Sequence, residues 1–323
     1  HRIIDNKIKN DIQEAQSIIY VLSNISNNHY HSKSFFEKLK KIIVYFKTII
    51  KEKNTELDIF NLFKNNKRII LFLIEEKIIN INESIGKSII NNFSDNNEYF
   101  YFYPELKPYI RIIQEIPENF EENRKIGENE IEICRLIRED SLNGFINYIN
   151  ANKVPLTLYI EPSVYETNYF LIQQKKTSLI EYAAFYGSIQ IFTHLALSNA
   201  NITSSIWLYA IHGNNLNLIE LLASNNIEPN DNTYFEILEE SIKCHHNLIA
   251  HFILTKIMKE ESLNFNNKTL AYCFHYYNFS FIPDDLNNKI VIFYLCEYNY
   301  YTLVKLLLKS RKINLNESNI SNF

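Results

Sequence analysis

Apolar residues along the chain return at helical spacing rather than in alternation. After Ser34-x-x-Glu37, a capping box, Phe35, Phe36, Leu39, Ile42, Ile43, Phe46, Ile49 and Ile50 recur every three or four positions, which predicts a helix from about 35 to 52. Asn65-Asn66 ahead of Ile69, Ile70, Phe72 and Leu73 reads as a turn followed by a helix, and Asp140 ahead of Leu142, Phe145 and Ile149 reads the same way. From about 91 to 129 the periodicity fails. Pro104, Pro108 and Pro117 interrupt it, and the acidic stretch Glu118 to Glu122 precedes Gly127, so an irregular segment or a boundary is expected there.

The C-terminal half repeats itself. Ser178-Leu-Ile-Glu-Tyr-Ala-Ala-Phe-Tyr-Gly187 aligns without gaps on Ser205-Ile-Trp-Leu-Tyr-Ala-Ile-His-Gly-Asn214, and each block runs into a second apolar stretch, Ile189 to Leu195 and Leu216 to Leu222. Glu236 to His245 with Leu248 to Ile253 is a third copy, and Ile290 to Asn299 with Leu303 to Leu308 is another. Thr269 to Asn278 is a degenerate copy whose second helix is cut short by Pro283. Small residues such as Ala183, Ala184 and Ala210 let neighbouring helices approach, and Gly187 or Asn214 can turn left-handed to end the first helix. The second helix carries a stripe such as Leu218, Ile219 and Leu222 that one pair of helices cannot cover, so successive pairs must stack. Tyr182, Trp207 and Tyr209 occupy positions that face neighbouring pairs and are assigned to the core.

These patterns predict an all-α chain. Residues 128–323 form stacked helix pairs, with units near 131–153, 178–202, 205–228, 236–258, 269–283 and 290–316. Residues 1–127 form a less regular helical region with degenerate repeat-like pairs, and a solenoid that begins early is a further reading of the Asn65-Asn66 turn.

With 46% hydrophobic and 22% charged residues the chain belongs to the globular class, and its net charge of -4 provides no global positive field for nucleic-acid phosphates. Cys134, Cys244, Cys273 and Cys296 lack paired spacing and read as buried thiols in a reducing compartment, hence a cytoplasmic expectation. The apolar run around Ile69 to Ile74 is bracketed by charges and too short to span a bilayer. The chain opens at His1 and has its one methionine at Met258, so the start of the gene product is expected upstream. The abundance of Ile, Asn, Lys, Phe and Tyr reflects an A/T-rich gene, and triplets such as Asn24-Ile25-Ser26 are read as chance glycosylation matches.

Candidate chemistry is sparse. Gly86, Gly127, Gly144, Gly187 and Gly213 lie too far apart for a phosphate-cradling loop, and H-E-x-x-H, G-x-S-x-G and C-x-x-C are missing. No enzyme activity, cofactor or metal is expected. Cys244, His245, His246 and His251 lie near a repeat turn, and since adjacent residues on a helix diverge by about 100° and no second Cys or His pair stands at finger-like spacing, they read as structural or surface residues rather than a zinc site. Lys38, Lys40, Lys41, Lys47, Lys51 and Lys53 make the 35–53 helix basic on one side. A solvated face explains this, and a weak contact of Lys40, Lys41 and Lys47 with an anionic membrane is the alternative, in which the protein is a structural or membrane-peripheral scaffold.

The order small-small-x-x-Gly/Asn followed by Ile/Leu-Val/Ile-x-Leu-Leu resembles the ankyrin repeat. The Thr-Pro-Leu-His opening is replaced by Ser-Leu-Ile-Glu and Ser-Ile-Trp-Leu. The steps of 27 residues from Gly187 to Asn214 and 31 from Asn214 to His245 fall short of the usual repeat of about 33, so hairpins between pairs are expected to be abbreviated or missing. Tyr182-Ala-Ala-Phe-Tyr-Gly-Ser-Ile-Gln, Trp207-Leu-Tyr-Ala-Ile-His-Gly and Ser241-Ile-Lys-Cys-His-His-Asn are similar to a large family of ankyrin-repeat proteins in trichomonad protists, which carry an uncharacterised domain ahead of ankyrin repeats. The resemblance implies an ankyrin-like solenoid, a protein partner and no catalytic residues. In such a stack the two residues before each turn line the concave face. They are Phe185 and Tyr186, His212 and Gly213, Lys243 and Cys244, Tyr276 and Tyr277, and Glu297 and Tyr298, and the contact residues expected among them are Phe185, Tyr186, His212, Lys243, Tyr276, Tyr277, Glu297 and Tyr298. Packing between abbreviated repeats is the competing use of each ring.

Overall fold

Short apolar stretches closed by turn residues fold as short helices, and the computed structural model is mostly helical. It describes residues 19–26, 33–92, 95–110, 115–229, 234–259, 267–282, 289–301 and 303–305. Among the described residues no helix is long and apolar enough to cross a membrane. The chain divides into two compact units, 1–232 and 233–323.

The first unit begins with α1 (residues 19–26), α2 (Lys33–Tyr45), α3 (Lys47–Lys53), α4 (Glu56–Phe63), α5 (Lys67–Glu75) and α6 (Glu83–Asn92). The helix expected over 35–52 is present but interrupted at Phe46 (φ −92°, ψ 5°), which separates α2 from α3. The side chain of Ser34, and with it the expected capping box, lies outside the described residues. A capping box does form at Thr55 and Asp58, which opens α4. Asn66 opens α5 by accepting from the Ile69 N–H at 3.0 Å, and its amide donates to the Ser26 carbonyl at 2.9 Å, so the α4–α5 turn also anchors α1. Ile43, Phe60, Phe63, Ile69 and Leu73 build the core of this region. The stretch expected to be irregular joins the same core. A 3-10 segment (Asp95–Phe102) and α7 (Tyr103–Leu106) bury Tyr101, Phe102 and Leu106, and after them α8 (Phe120–Ile126) ends at Gly127.

Helix pairs follow: α9 (Glu132–Arg138) with α10 (Leu142–Asn152), α12 (Leu179–Phe185) with α13 (Ile189–Leu197), and α14 (Ile206–His212) with α15 (Leu216–Ser224). The first helices pack in series, α9 on α12 and α12 on α14, while α10 packs on α13. Each first helix ends on a left-handed residue, Asp140 (φ 48°), Gly187 (φ 67°) or Asn214 (φ 48°). The residue after it folds its N–H back across the last turn, Ser141 to the Leu136 carbonyl at 3.0 Å and Ser188 to the Ala183 carbonyl at 2.9 Å. Successive turns are then bonded to each other. Ser188 Oγ donates to the Ile137 carbonyl at 2.5 Å, and Asn215 Nδ2 donates to the Gly187 carbonyl at 2.9 Å. The Asp140 carboxylate accepts the N–H groups of Gln190 and Ile191 at 3.1 and 3.0 Å, capping α13 from the preceding pair. Tyr182, Trp207 and Tyr209 are buried.

The second unit repeats this plan. It contains α16 (Phe235–Lys243), α17 (Asn247–Phe252) running into a π-turn (Ile253–Ile257), α18 (Asn267–His275) and α19 (Lys289–Glu297). The first helices again pack in series, α16 on α18 and α18 on α19. The left-handed residues are His245 (φ 55°), Tyr277 (φ 58°) and Asn299 (φ 59°). Asn278 Nδ2 donates to the Ile242 carbonyl at 2.9 Å, the counterpart of Ser188 on Ile137. These turns correct the alignment of the degenerate copy by one residue. Tyr277, not Asn278, takes the left-handed place of Gly187, so the pair before the turn is His275 and Tyr276. Pro283 lies outside the described residues.

Two adjacent turns come into backbone contact. A Cβ on Gly213 would stand 2.3 Å from the Ala184 carbonyl oxygen and 2.8 Å from the Gly187 nitrogen. Gly213→Ala is therefore expected to lower the urea midpoint at unchanged m-value, by about 3 kcal/mol of stability. A loss under about 0.5 kcal/mol, the size of an ordinary surface change, would show that the two turns part freely.

Candidate functional site

The expected line of contact residues divides in two. In the first unit Phe185 is 0% exposed and His212 6%, so neither is available to a partner; this corrects their assignment as exposed contacts. Their cover is a segment to which no repeat was assigned, residues 154–177. Within it α11 (Tyr169–Gln174) lays Phe170 across the ends of α12 and α14. The Phe170 ring stacks on Phe185 (5.7 Å, 8°), meets Tyr209 edge-on at 5.0 Å and sits 4.2 Å from the His212 ring. Tyr186 is half-buried, its ring 4.9 Å from Tyr182 and 5.0 Å from Phe185, with the Arg138 guanidinium 5.9 Å above it.

The segment is held as a strap. Strands β1 (Tyr159–Ile160) and β2 (Thr177–Ser178) pair antiparallel, Tyr159 with Ser178 and Ile160 with Thr177, and bring its ends together. The N–H and hydroxyl of Thr167 both donate to the Gly127 carbonyl, at 3.1 and 2.6 Å. Asn129 Nδ2 donates to the Glu161 carbonyl at 3.0 Å, and Lys67 Nζ donates to the Glu166 carbonyl at 3.2 Å. Glu166 itself is 1% exposed, and its Oε1 accepts the Asn168 N–H at 2.8 Å. Burial pushes its carboxyl up to about 7; Glu128 adds to the rise, while the Asn168 N–H, Lys67 and Arg138 oppose it. Arg138 is shared between the Glu128 carboxylate (3.0 Å), the Asn129 carbonyl (2.7 Å) and the Tyr182 hydroxyl (3.1 Å).

In the second unit the helix ends are more open. Lys243, Tyr276, Tyr277 and Tyr298 are half-buried and Glu297 is exposed, while Cys244 is buried. The one-residue shift adds His275, exposed and 4.5 Å from the Tyr276 ring and 5.2 Å from Tyr298. Tyr277 is withdrawn from the line, because in the left-handed position its ring turns toward Tyr300, 5.6 Å away. Tyr276 donates its hydroxyl to Glu239 at 2.7 Å, and Lys243 Nζ lies 3.1 Å from both Glu240 oxygens. The signal that places His275 in the line is the register of the turns.

The other sequence candidates resolve simply. Cys244 faces Glu240 at 3.8 Å and the His245 ring bonds the Tyr276 carbonyl at 2.9 Å, so both are engaged within the second unit. Lys40 pairs with Glu37 at 2.5 Å and lies over the Phe36 and Phe72 rings, and Lys47 donates to the Glu76 carbonyl; Lys41 is exposed. Two of the three lysines weighed for membrane contact thus have partners inside the protein.

The pKa directions generate two predictions. Glu166 holds its proton above the ordinary value of 4.5, so its contribution to stability is full below about 4.5 and is lost as pH rises through about 7. Glu166→Gln should remove a loss on the order of 3 kcal/mol across that window. Thermal unfolding of both proteins between pH 5 and 8 checks it, and parallel curves would show that Glu166 is ionised throughout. Burial pushes Cys134 and Cys273 up to about 12 and raises Cys244 well above the usual thiol value with the help of Glu240, and the reading of all four thiols as buried is corrected at Cys296, which is exposed. Iodoacetamide on the native protein should label Cys296 alone. Equal labelling of Cys134 would mean that the interior opens. Searches against protein-family models, curated proteins and solved structures find no match for this chain.

Proposed function

We propose that this protein is a non-catalytic scaffold, an ankyrin-like solenoid that binds a protein partner through the line of first-helix ends. The observation that carries the reading is the turn-to-turn bonding, in which Ser188 and Asn278 each bond the carbonyl three residues before the preceding left-handed turn, at Ile137 and Ile242, and Asn215 bonds the Gly187 carbonyl, so that successive first-helix ends are tied side by side. A surface made this way is wide and shallow and suits another macromolecule better than a small substrate. The abbreviated connection between α13 and α14, residues 198–205, agrees with hairpins that have been shortened.

The strap divides the work. Phe170 covers the helix ends at Phe185 and His212, and the binding role falls to the second unit's Lys243, His275, Tyr276, Glu297 and Tyr298. The test is a crosslinking pull-down from lysate of the source cell. Wild type is compared with Glu297→Ala/Tyr298→Ala and with Leu197→Ala, an exposed site on a second helix. Partners lost only from the double variant, at unchanged helical circular dichroism, support the reading. Equal partner sets from all three proteins remove the helix-end line from the binding surface.

A further inference from the structure

The strap that closes the helix ends of the first unit shows what kind of group this face accepts. Phe170 lies on the residues two places before the left-handed turns, Phe185 and His212, and after Leu171 and Ile172 the exposed Gln173, Gln174, Lys175 and Lys176 follow. An aromatic ring thus seats on the face while a short polar and basic run leaves it. In the second unit the same places, two before His245, Tyr277 and Asn299, hold Lys243, His275 and Glu297.

We infer that this face of the second unit, formed by His275, Tyr276, Tyr298, Glu239 and Glu297, docks a short segment of a partner protein that carries an aromatic side chain beside lysine or arginine. The inference rests on the scaffold reading and adds the site and the chemistry of the partner. Three observations support it. His275 and Glu297 are exposed where their counterparts Phe185 and His212 are covered. The His275 ring lies 4.5 Å from the Tyr276 ring and 5.2 Å from the Tyr298 ring, which offers faces for stacking and for cations. Acidic groups crowd the same rings: Glu239 accepts the Tyr276 hydroxyl at 2.7 Å, and Tyr298, its phenol raised by burial, also feels Glu297 and Glu239. The one lysine of this set, Lys243, is taken up by Glu240 at 3.1 Å, so the face complements a cationic segment.

Panning a random dodecapeptide phage library on the full-length chain tests this directly. Enriched peptides should carry Phe, Tyr or Trp within a few residues of Lys or Arg. In fluorescence anisotropy a labelled peptide from the enriched set should bind about tenfold more weakly to Glu297→Lys, and more weakly at high salt. Glu297 is exposed and serves as the variant that leaves the fold intact, with circular dichroism as the check; Tyr298→Ala is the second variant, acting on the ring rather than the charge. Enrichment of acidic or purely apolar peptides, an affinity unchanged by both variants, or no enrichment overturns the inference. The scaffold reading has its own readout in the crosslinked lysate partners, so peptides or partners that ignore Glu297 and Tyr298 but depend on another face sink this site and leave that reading standing.

Discussion

Everything in the repeated part of the chain depends on how each first helix stops. A left-handed residue follows each first helix, and after Asp140, Gly187, His245, Tyr277 and Asn299 the next N–H returns across the last turn, so these helices stop in a similar way. The geometry is costly for side chains with a Cβ, on the order of 1 kcal/mol or more for each non-glycine residue. Asp140, Asn214, His245, Tyr277 and Asn299 adopt it nonetheless. The cost is offset locally, because the carbonyls freed at the helix end accept either the folded-back N–H or a side chain of the next pair, as the Ile137 and Ile242 carbonyls do. Where two turns touch, glycine is demanded by space and angle together at Gly187 and by space alone at Gly213, whose backbone is ordinary helix.

The strap makes the opposite kind of contact. Repeats pack through apolar stripes, but residues 161–168 are fixed by polar groups placed out of water: Thr167 on the Gly127 carbonyl, Lys67 on the Glu166 carbonyl and Asn129 on the Glu161 carbonyl. Each bond adds little net stability, whereas removing one partner strands a buried group. A strap held in this way has one seating and little tolerance for another. Its apolar contribution, Phe170 and Leu171, then lands where the repeat geometry had left an aromatic face to be covered.

These two modes explain what could be read from the residues alone. The copies beginning at Ser178 and Ser205 are legible because Gly187 and Asn214 announce their turns and because alanines and leucines recur at fixed places. Tyr277 announces nothing, since a tyrosine seldom adopts a left-handed backbone, and so the neighbouring Asn278 drew the alignment one residue too far and hid His275. The break at Phe46 is invisible for a similar reason: the apolar spacing runs through it undisturbed. The strap is the hardest case. Tyr165-Glu166-Thr167-Asn168 belong to no apolar period, yet all four residues are buried, because their partners are distant in the chain: Tyr165 joins Phe100, Tyr103 and Phe120, and Thr167 bonds the Gly127 carbonyl. The competing use of the helix-end rings, packing between elements, holds at Phe185 and His212, while the His275 ring meets Tyr298 and yet stays exposed.

The same burial decides how the perturbed groups are understood. A carboxyl raised to about 7 beside an arginine, two tyrosines and a thiol resembles the surroundings of a general base, and such groups do collect at active sites. A base must also meet the proton it takes, directly or through one water. Glu166 is closed over by its own strap, its Oε1 already holds the Asn168 N–H, and Cys134 next to this cluster is pushed toward the inert thiol form rather than the thiolate. Desolvation is the leading cause for Glu166, Cys134, Tyr182 and Tyr186 alike. A shared cause of that kind follows from closing the strap over one polar cluster.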